Sequence, residues 1–195
     1  MQHTVRSVAP PDDSGPVALP EPPRSLRQRL RALPRWVQLV YVSAVVAVAV
    51  AVRVYLLESS YVVERSMEST LHDGDRLLIY KPAYHSRTPR RGDIALIESG
   101  DDYFVKRIIA VGGDEIAIFG PQVFVNGQAI SEPYAEPEGE TVLKPTRIPA
   151  GEVWVMGDNR ALSEDSRDWG AIPVTALRGR VVLRYWPPGK FGVVD

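Results

Sequence analysis

From Trp36 to Val52 the sequence reads WVQLVYVSAVVAVAVAV, a run of seventeen residues that carry no charge. As a helix this run would extend about 25 Å, and its continuation to Leu57 would bring the length to about 33 Å. These lengths bracket the hydrocarbon core of a bilayer. A buried core helix is the alternative, but an uninterrupted apolar run of this length rarely fits a small soluble domain. We therefore predict one transmembrane helix over residues 36–57.

The charges that flank this helix predict its orientation. Five arginines precede it without an intervening acidic residue: Arg24, Arg27, Arg29, Arg31 and Arg35. The segment that follows it carries two arginines and two glutamates: Arg53, Arg65, Glu58 and Glu64. Because an excess of arginine and lysine marks the cytoplasmic side, we predict a cytoplasmic amino terminus and place residues 58–195 outside the plasma membrane.

A cleavable signal sequence is the competing interpretation of the apolar run. Ala47-Val48-Ala49 and Ala49-Val50-Ala51 are small-x-small motifs of the kind that is cleaved after signal sequences. However, the basic segment before the run is long, and the run is at the upper length limit of a signal sequence. We therefore predict an uncleaved, single-pass anchor. Residues 1–35 form its basic tail, and residues 1–23, rich in Pro, Ser, Asp and Val, are expected to be disordered.

Residues 58–195 show the pattern of a mainly β domain. Short β-prone runs alternate with turn residues such as Gly112-Gly113-Asp114, and Asn126-Gly127 favours a type I′ hairpin turn. Nine strands are predicted: Tyr61–Val63, Arg76–Tyr80, Asp93–Ile97, Phe104–Val111, Glu115–Ile118, Gln122–Val125, Gln128–Ile130, Glu152–Met156 and Arg178–Tyr185. Residues 133–149 contain four prolines and many charges, and we predict a long exposed loop there.

The composition argues against several kinds of site. A formal net charge of −1 gives no global basic excess, so no nucleic-acid partner is expected. The absence of cysteine excludes disulfides, thiolate metal sites and a cysteine nucleophile. The three histidines lie far apart and form no zinc-binding pair: His3, His72 and His85. We therefore expect neither a metal nor another cofactor.

A hydrolase of this composition has few ways to activate a nucleophile. A carboxylate pair and a Ser-His-Asp triad are possible in principle, but His72 and His85 lie in polar, loop-like sequence. A lysine can replace the histidine if burial among apolar side chains lowers its pKa. Three of the four lysines lie in turn-like sequence: Lys81, Lys144 and Lys190. Lys106 lies in a strand-like apolar run, where it is either such a base or an ordinary lysine that points to solvent.

Three segments resemble the sequence boxes of bacterial type I signal peptidases, a family of serine proteases with a Ser/Lys dyad, and they occur in the same order along the chain. They are ERSMESTL at 64–71, DYFVKRII at 102–109 followed by GGD at 112–114, and GDNRALSEDSR at 157–167. Arg91-Gly92-Asp93-Ile94 and the stretch from Asn126-Gly127 to Glu132-Pro133-Tyr134 also match. The resemblance implies a signal-peptidase-like β-barrel or β-sandwich catalytic domain.

The same resemblance implies a role for each matched residue. Ser66 corresponds to the nucleophile, Lys106 to its general base, and Ser163 to the residue that orients the lysine. Four further residues correspond to a charged network that supports the site: Asp158, Arg160, Asp165 and Arg167. The chain departs from the pattern at two positions. Ser69 stands where proline is usual, and Glu64 stands where many relatives have serine or glycine.

The resemblance also implies the substrate and the partners. Enzymes of this family remove signal peptides from exported preproteins after a small-x-small motif, and we expect the peptide to bind as an added β-strand. The lipid bilayer is the second expected partner, and a monomer is the expected oligomeric state. Two alternatives remain open: a weakly active paralogue, in view of Glu64 and Ser69, and a non-enzymatic membrane-tethered β domain.

Overall fold

The structure is a computed structural model of the 195-residue chain, and it describes residues 34–136 and 141–194. The predicted tail up to residue 33 lies outside the described residues. An α-helix, α1, spans Arg35–Ala51 and continues as a π-helical segment over Val52–Leu56. Together they form a 22-residue helix that is long and apolar enough to cross a membrane. No residue in the most apolar stretch of this helix is buried against the rest of the protein. The predicted N-terminal helix is therefore present.

The chain divides after Val46 into two units, and the second unit, from Ala47 onward, contains the β-structure. Its described strands are β1 (Leu57–Tyr61), β2 (Arg76–Tyr80), β3 (Ile94–Ser99), β4 (Asp102–Val111), β5 (Glu115–Phe119), β6 (Gln122–Val125), β7 (Gln128–Ala129), β8 (Val142–Arg147), β9 (Glu152–Met156), β10 (Ile172–Pro173), β11 (Leu177–Trp186) and β12 (Gly192–Val193). Two short α-helices accompany the described strands, α2 (Ala83–Ser86) and α3 (Ser166–Trp169), together with 3-10 turns at Arg160–Leu162, Val174–Ala176 and Pro188–Lys190. The mainly β fold is confirmed.

The strands form two antiparallel sheets. The larger has the order β1-β2-β11-β3-β4-β9-β10, with β12 paired to β11, and the smaller has the order β7-β6-β5-β8. Asn126 and Gly127 connect β6 to β7 with positive φ values of 54° and 76°, as the type I′ turn requires. The longest strands of the larger sheet are β4 and β11, with ten residues each; β4 pairs with β3 and β9, and β11 pairs with β2, β3 and β12.

Side chains that alternate in direction along β4 and β9 pack into separate apolar clusters on the two faces of the larger sheet. Ile109 packs in one apolar cluster with Trp154 and Met156, whereas Ile108 packs in another with Val153 and Val155. Successive side chains of a strand point to opposite faces. Lys106 and Arg107 therefore point to opposite faces of β4, and this one strand supplies the functional site from both of its faces.

The predicted loop over residues 133–149 is wrong in part, because Val142–Arg147 forms strand β8 and pairs with β5. Val142, Leu143 and Thr146 suit a strand, and Pro145 lies where the register shifts between the pairs of Ile116 and Ile118. A proline has no N–H to donate, so it is tolerated at an edge strand and at such an irregularity. The strand predicted at Tyr61–Val63 also lies earlier, at Leu57–Tyr61.

Candidate active site

Ser66 lies in a tight turn between β1 and β2. The turn is closed by the backbone N–H groups of Thr70 and Leu71, which donate to Met67 O at 3.0 and 2.8 Å. Met67 and Leu71 are buried in the apolar cluster beneath β2, and they attach the turn to the core. Ser66 itself is 5% exposed, and its carbonyl oxygen accepts a hydrogen bond from Asn159 N at 3.0 Å. The predicted nucleophile therefore has a fixed backbone.

Lys106 lies in the middle of β4, and only 1% of it is exposed. Its Nζ donates to Ser163 Oγ at 3.1 Å and lies 6.0 Å from the centre of the Phe104 ring. Burial lowers the pKa of Lys106, because a charged ammonium group loses its hydration in this environment. The alternative, a strand lysine that points to solvent, is excluded by this burial.

Gly157 lies between Ser66 and Ser163, the residue that contacts Lys106. A Cβ atom at this position would lie 2.3 Å from Ser163 Oγ and 2.4 Å from Ser66 O, so only glycine fits. Ser163 Oγ in turn holds the Lys106 amine. Between these described residues, the hydrogen bond of Nζ goes to Ser163 and not to Ser66. Hydrogen bonds of catalytic groups are often completed only when substrate is bound.

Asp158 forms a buried ion pair on the opposite face of β4. Arg107 donates to its two carboxylate oxygens from Nε at 2.9 Å and from Nη2 at 2.8 Å. Thr70 Oγ1 donates to Asp158 Oδ2 at 2.6 Å, which connects the ion pair to the Ser66 turn. The Tyr134 ring covers the guanidinium group, with its centre 3.8 Å from Cζ. Asp158 was predicted to support the site, and the structure gives it this position.

Arg160 connects the Gly157 segment to a second loop. Its Nε donates to Gly157 O at 3.0 Å, and its Nη2 donates to Glu132 Oε1 at 2.5 Å. Tyr134 donates to the same oxygen of Glu132 from its hydroxyl group at 3.1 Å. Both members of the Arg160–Glu132 ion pair are largely buried. The loop that contains Glu132 and Tyr134 is thereby fixed beside the site.

Asp165 and Arg167 fix the segment that carries Ser163. Asp165 Oδ2 accepts from Gly157 N at 2.9 Å, and Asp165 Oδ1 accepts from Arg167 Nε at 2.9 Å. Burial acts to raise the pKa of Asp165, but hydrogen bonds from Arg167, Gly157 N and the Ser163 hydroxyl group outweigh it and lower the pKa. Asp165 therefore stays charged and holds the Ser163 hydroxyl group near the Lys106 amine.

The structure brings all seven predicted residues into one region of the second unit, and adds four to which the sequence prediction assigned no role in the site. The additional residues are Thr70, Arg107, Glu132 and Tyr134. A signal for Arg107 was present, since a second charge directly after Lys106 in an apolar strand needs a buried partner. Among the described residues, no group of three or more His, Asp or Glu side chains is arranged to hold a metal ion.

Known proteins resemble the chain over most of its length. The model of a family described as signal peptidase, peptidase S26, matches residues 33–186. Signal peptidase I of Leptolyngbya laminosa is 35% identical over 157 residues, which cover 75% of this chain and 77% of the relative. Signal peptidase I of Bacillus licheniformis is 37% identical over 174 residues, which cover 82% of this chain and 92% of the relative.

A solved structure is also similar. The crystal structure of a signal peptidase I from Enterococcus faecalis matches with a TM-score of 0.41 and 25% identity, over 48% of this chain and 97% of that chain. The family match includes the apolar helix and every predicted site residue.

Proposed function

This chain belongs to the signal peptidase family, peptidase S26, and we propose that it removes signal peptides with Ser66 as nucleophile and Lys106 as general base. It is a serine peptidase, and its substrates are preproteins. The assignment of the two residues rests on one observation above all. Lys106 is a buried amine with a lowered pKa, and Ser163 and Gly157 connect it to the Ser66 turn.

The chemistry follows from the protonation state of this amine. A neutral Lys106 Nζ accepts the proton of the Ser66 hydroxyl group while Oγ attacks the carbonyl carbon of the scissile peptide bond. The lysine then returns this proton to the leaving amine, and an acyl-enzyme ester remains on Ser66. In the second half, water gives a proton to the lysine and attacks the ester, and Ser66 recovers its hydroxyl hydrogen. The Ser66 N–H is the proposed donor to the oxyanion.

The substrate is proposed to bind along the free edge of β4. On one side, β4 pairs with β3 over its first six residues, from Asp102 to Arg107. On the other side, its pairing with β9 begins only at Arg107. Among the described strands, nothing pairs with the second edge of residues 103–106. An extended peptide can add to this edge as a strand, and the edge leads directly to Lys106.

Membrane association follows from the family and from the apolar helix Arg35–Leu56. We propose a single pass through the plasma membrane, with the amino terminus inside and the catalytic domain outside. A lipid contact of the β domain itself is supported by the outer ends of three neighbouring strands. Tyr61 lies opposite Arg76, Arg76 lies opposite Trp186, and the two aromatic side chains are exposed. Exposed aromatic residues of this kind favour a membrane interface.

The test is the cleavage of a preprotein with an Ala-x-Ala site by the detergent-solubilised protein and by its Ser66→Ala and Lys106→Ala variants. We expect each variant to lose about ten-thousandfold in kcat/KM, because nucleophile and base act as one unit. Ser99→Ala, a change at an exposed serine at the end of β3, is the matched control and should retain full activity.

The melting temperature of each variant separates loss of chemistry from loss of the fold. Folded variants that keep substantial turnover would exclude the proposed dyad. Complete inactivity of the parent protein toward signal peptides would instead favour the non-enzymatic alternative.

A further inference from the structure

Ser69 adopts a backbone conformation that its side chain disfavours. Its φ angle is 100°, and Asn126 in the β6–β7 hairpin is the other non-glycine residue at positive φ in the described part of the chain. A residue with a Cβ atom is strained in this region. Such strain persists where the surrounding structure holds the residue in place, and it is concentrated at functional sites.

The contact that holds Ser69 comes from a distant loop. Ser69 Oγ donates to the carbonyl oxygen of Tyr134 at 2.5 Å, across 65 positions of sequence. Tyr134 is itself fixed, because its ring lies on the guanidinium group of Arg107. The same loop is attached to Asp158 through the backbone, since Glu136 N donates to Asp158 O at 2.8 Å. The Ser69 hydroxyl group is thus connected to the buried framework of the site.

The turn that contains Ser66 is attached to this framework at both ends. At its beginning, Ser66 O accepts from Asn159 N. At its end, Thr70 Oγ1 donates to Asp158, and its neighbour Ser69 donates to Tyr134. Without the Ser69 hydroxyl group, only the hydrogen bonds of Thr70 and of Leu71 N would remain to hold the turn against the strain at this φ angle. The turn would then relax toward negative φ, three residues after Ser66.

We propose that Ser69 is a positioning residue, whose hydrogen bond to the Tyr134 carbonyl holds the turn in the conformation that presents Ser66 to Lys106. This inference rests on the proposed function of Ser66. It also gives a physical meaning to the departure from the usual proline at this position. Proline restricts φ to about −65° and cannot adopt the angle found here. The turn is therefore held by a tertiary hydrogen bond in place of a ring.

Three substitutions separate the hydroxyl group from the backbone conformation. Ser69→Gly removes the hydroxyl group and relieves the strain, Ser69→Ala removes the hydroxyl group and keeps the strain, and Ser69→Pro forbids the observed φ angle. We expect kcat for an Ala-x-Ala preprotein to fall about tenfold in Ser69→Gly and Ser69→Ala and about a hundredfold in Ser69→Pro, because a misplaced nucleophile lowers kcat by factors of this size. Loss of positioning should lower kcat and leave KM within about twofold.

Two further readouts distinguish positioning from a general structural role. The acidic limb of the pH–activity profile should stay in place in all three variants, because the Lys106 environment is unchanged. The melting temperature of Ser69→Gly should equal or exceed that of the parent, since glycine adopts positive φ without strain. Ser99→Ala again serves as the control.

The inference is overturned if Ser69→Pro or Ser69→Gly cleaves with the parent kcat, or if the losses lie only in KM or in the melting temperature. These outcomes leave the proposed function intact as long as Ser66→Ala is inactive in the same assay. An active Ser66→Ala variant would instead remove the proposed function, and the role of Ser69 with it.

Discussion

Two opposing effects act on the ammonium group of Lys106. Burial lowers its pKa and is the largest contribution, while the negative charges of Asp165, Glu64 and Glu164 raise it. The net shift is downward, which means that removal of water from the ammonium group outweighs these attractions. Glu64 is exposed, so solvent screens its charge, and it weakens the activation of the base without abolishing it.

This balance predicts a pH dependence. The base acts when it is neutral, so kcat/KM should rise as the pH increases through the lowered pKa of Lys106. Glu64→Gln removes a charge that stabilises the ammonium form. Its acidic limb should therefore lie at lower pH than that of the parent, as measured by the pH dependence of kcat/KM.

Glu98→Gln is the control, because Glu98 pairs with Arg178 and does not contribute to the shift at Lys106. An acidic limb that lies at the same pH in all three proteins would exclude the electrostatic effect of Glu64. A profile that is flat over the working range would exclude a lysine base.

Single residues were predictable from the sequence where a chemical requirement leaves few choices. With no cysteine and no histidine pair, lysine remained as a possible nitrogen base, but the residues around Lys106 left burial and solvent exposure both open. Only the resemblance to signal peptidases selected Lys106 as the base. The residues that contact Arg107, which follows Lys106, were not predictable from the sequence. Which carboxylate pairs with Arg107, and which ring covers it, depends on loops more than 25 positions away that meet only in the folded chain.

At the scale of elements, the segment from β9 to α3 determines the geometry of the site. Gly157 directly follows β9, and its N–H group donates to Asp165, whose side chain caps α3 by accepting from the backbone N–H of Arg167. The loop between them, which carries Ser163, is therefore closed at its base. This closure fixes the Ser163 hydroxyl group beside the Lys106 amine.

Gly157→Ala tests this closure. The added methyl group would overlap Ser163 Oγ and Ser66 O, so the loop must move away from the Ser66 turn. We expect kcat/KM to fall about a hundredfold, because a displacement of about 1 Å at a catalytic group has this effect. Gly189→Ala is the matched control, since a Cβ atom there would meet nothing within 4 Å. Parent-like cleavage by a folded Gly157→Ala variant would contradict the tight approach of the two serines.

The elements themselves followed from the sequence where hydrophobic alternation is strong. Arg76–Tyr80, Gln122–Val125 and Glu152–Met156 were predicted with the bounds that the structure has. β8 was missed because Pro145 and its charged surroundings are typical of a loop. Its strand character depends on pairing with β5, and such pairing is a tertiary effect that overrides local propensity.

In the whole molecule, different interactions stabilise the apolar helix and the β domain. The two sheets are stabilised by their own buried clusters, whereas the helix is unburied over its most apolar part and would be stabilised by lipid in the proposed membrane orientation. Length and hydropathy were sufficient to predict the helix. The order of the strands was not predictable from the sequence alone, because β11 inserts between β2 and β3, and its partner residues there lie 80 to 110 positions earlier in the chain.

The proposed orientation can be tested because the chain has no cysteine of its own. Single cysteines introduced by Ser99→Cys in the β domain and by Ser25→Cys before the helix give two sites for a membrane-impermeant maleimide. In intact cells or spheroplasts we expect labelling of the first variant only, and labelling of both after lysis. Labelling of Ser25→Cys in intact cells would contradict a cytoplasmic amino terminus.

The proposed mechanism requires that Lys106 is neutral when Ser66 needs a base, and the titration of Lys106 can be observed directly. The four lysines permit NMR of the detergent-solubilised protein with 13C at the lysine Cε, and Lys106→Met identifies the signal of Lys106. We predict that this signal titrates below the ordinary lysine pKa of about 10.4, at the pH of the acidic limb of kcat/KM. A Lys106 signal that titrates at or above that ordinary value would contradict the proposed mechanism.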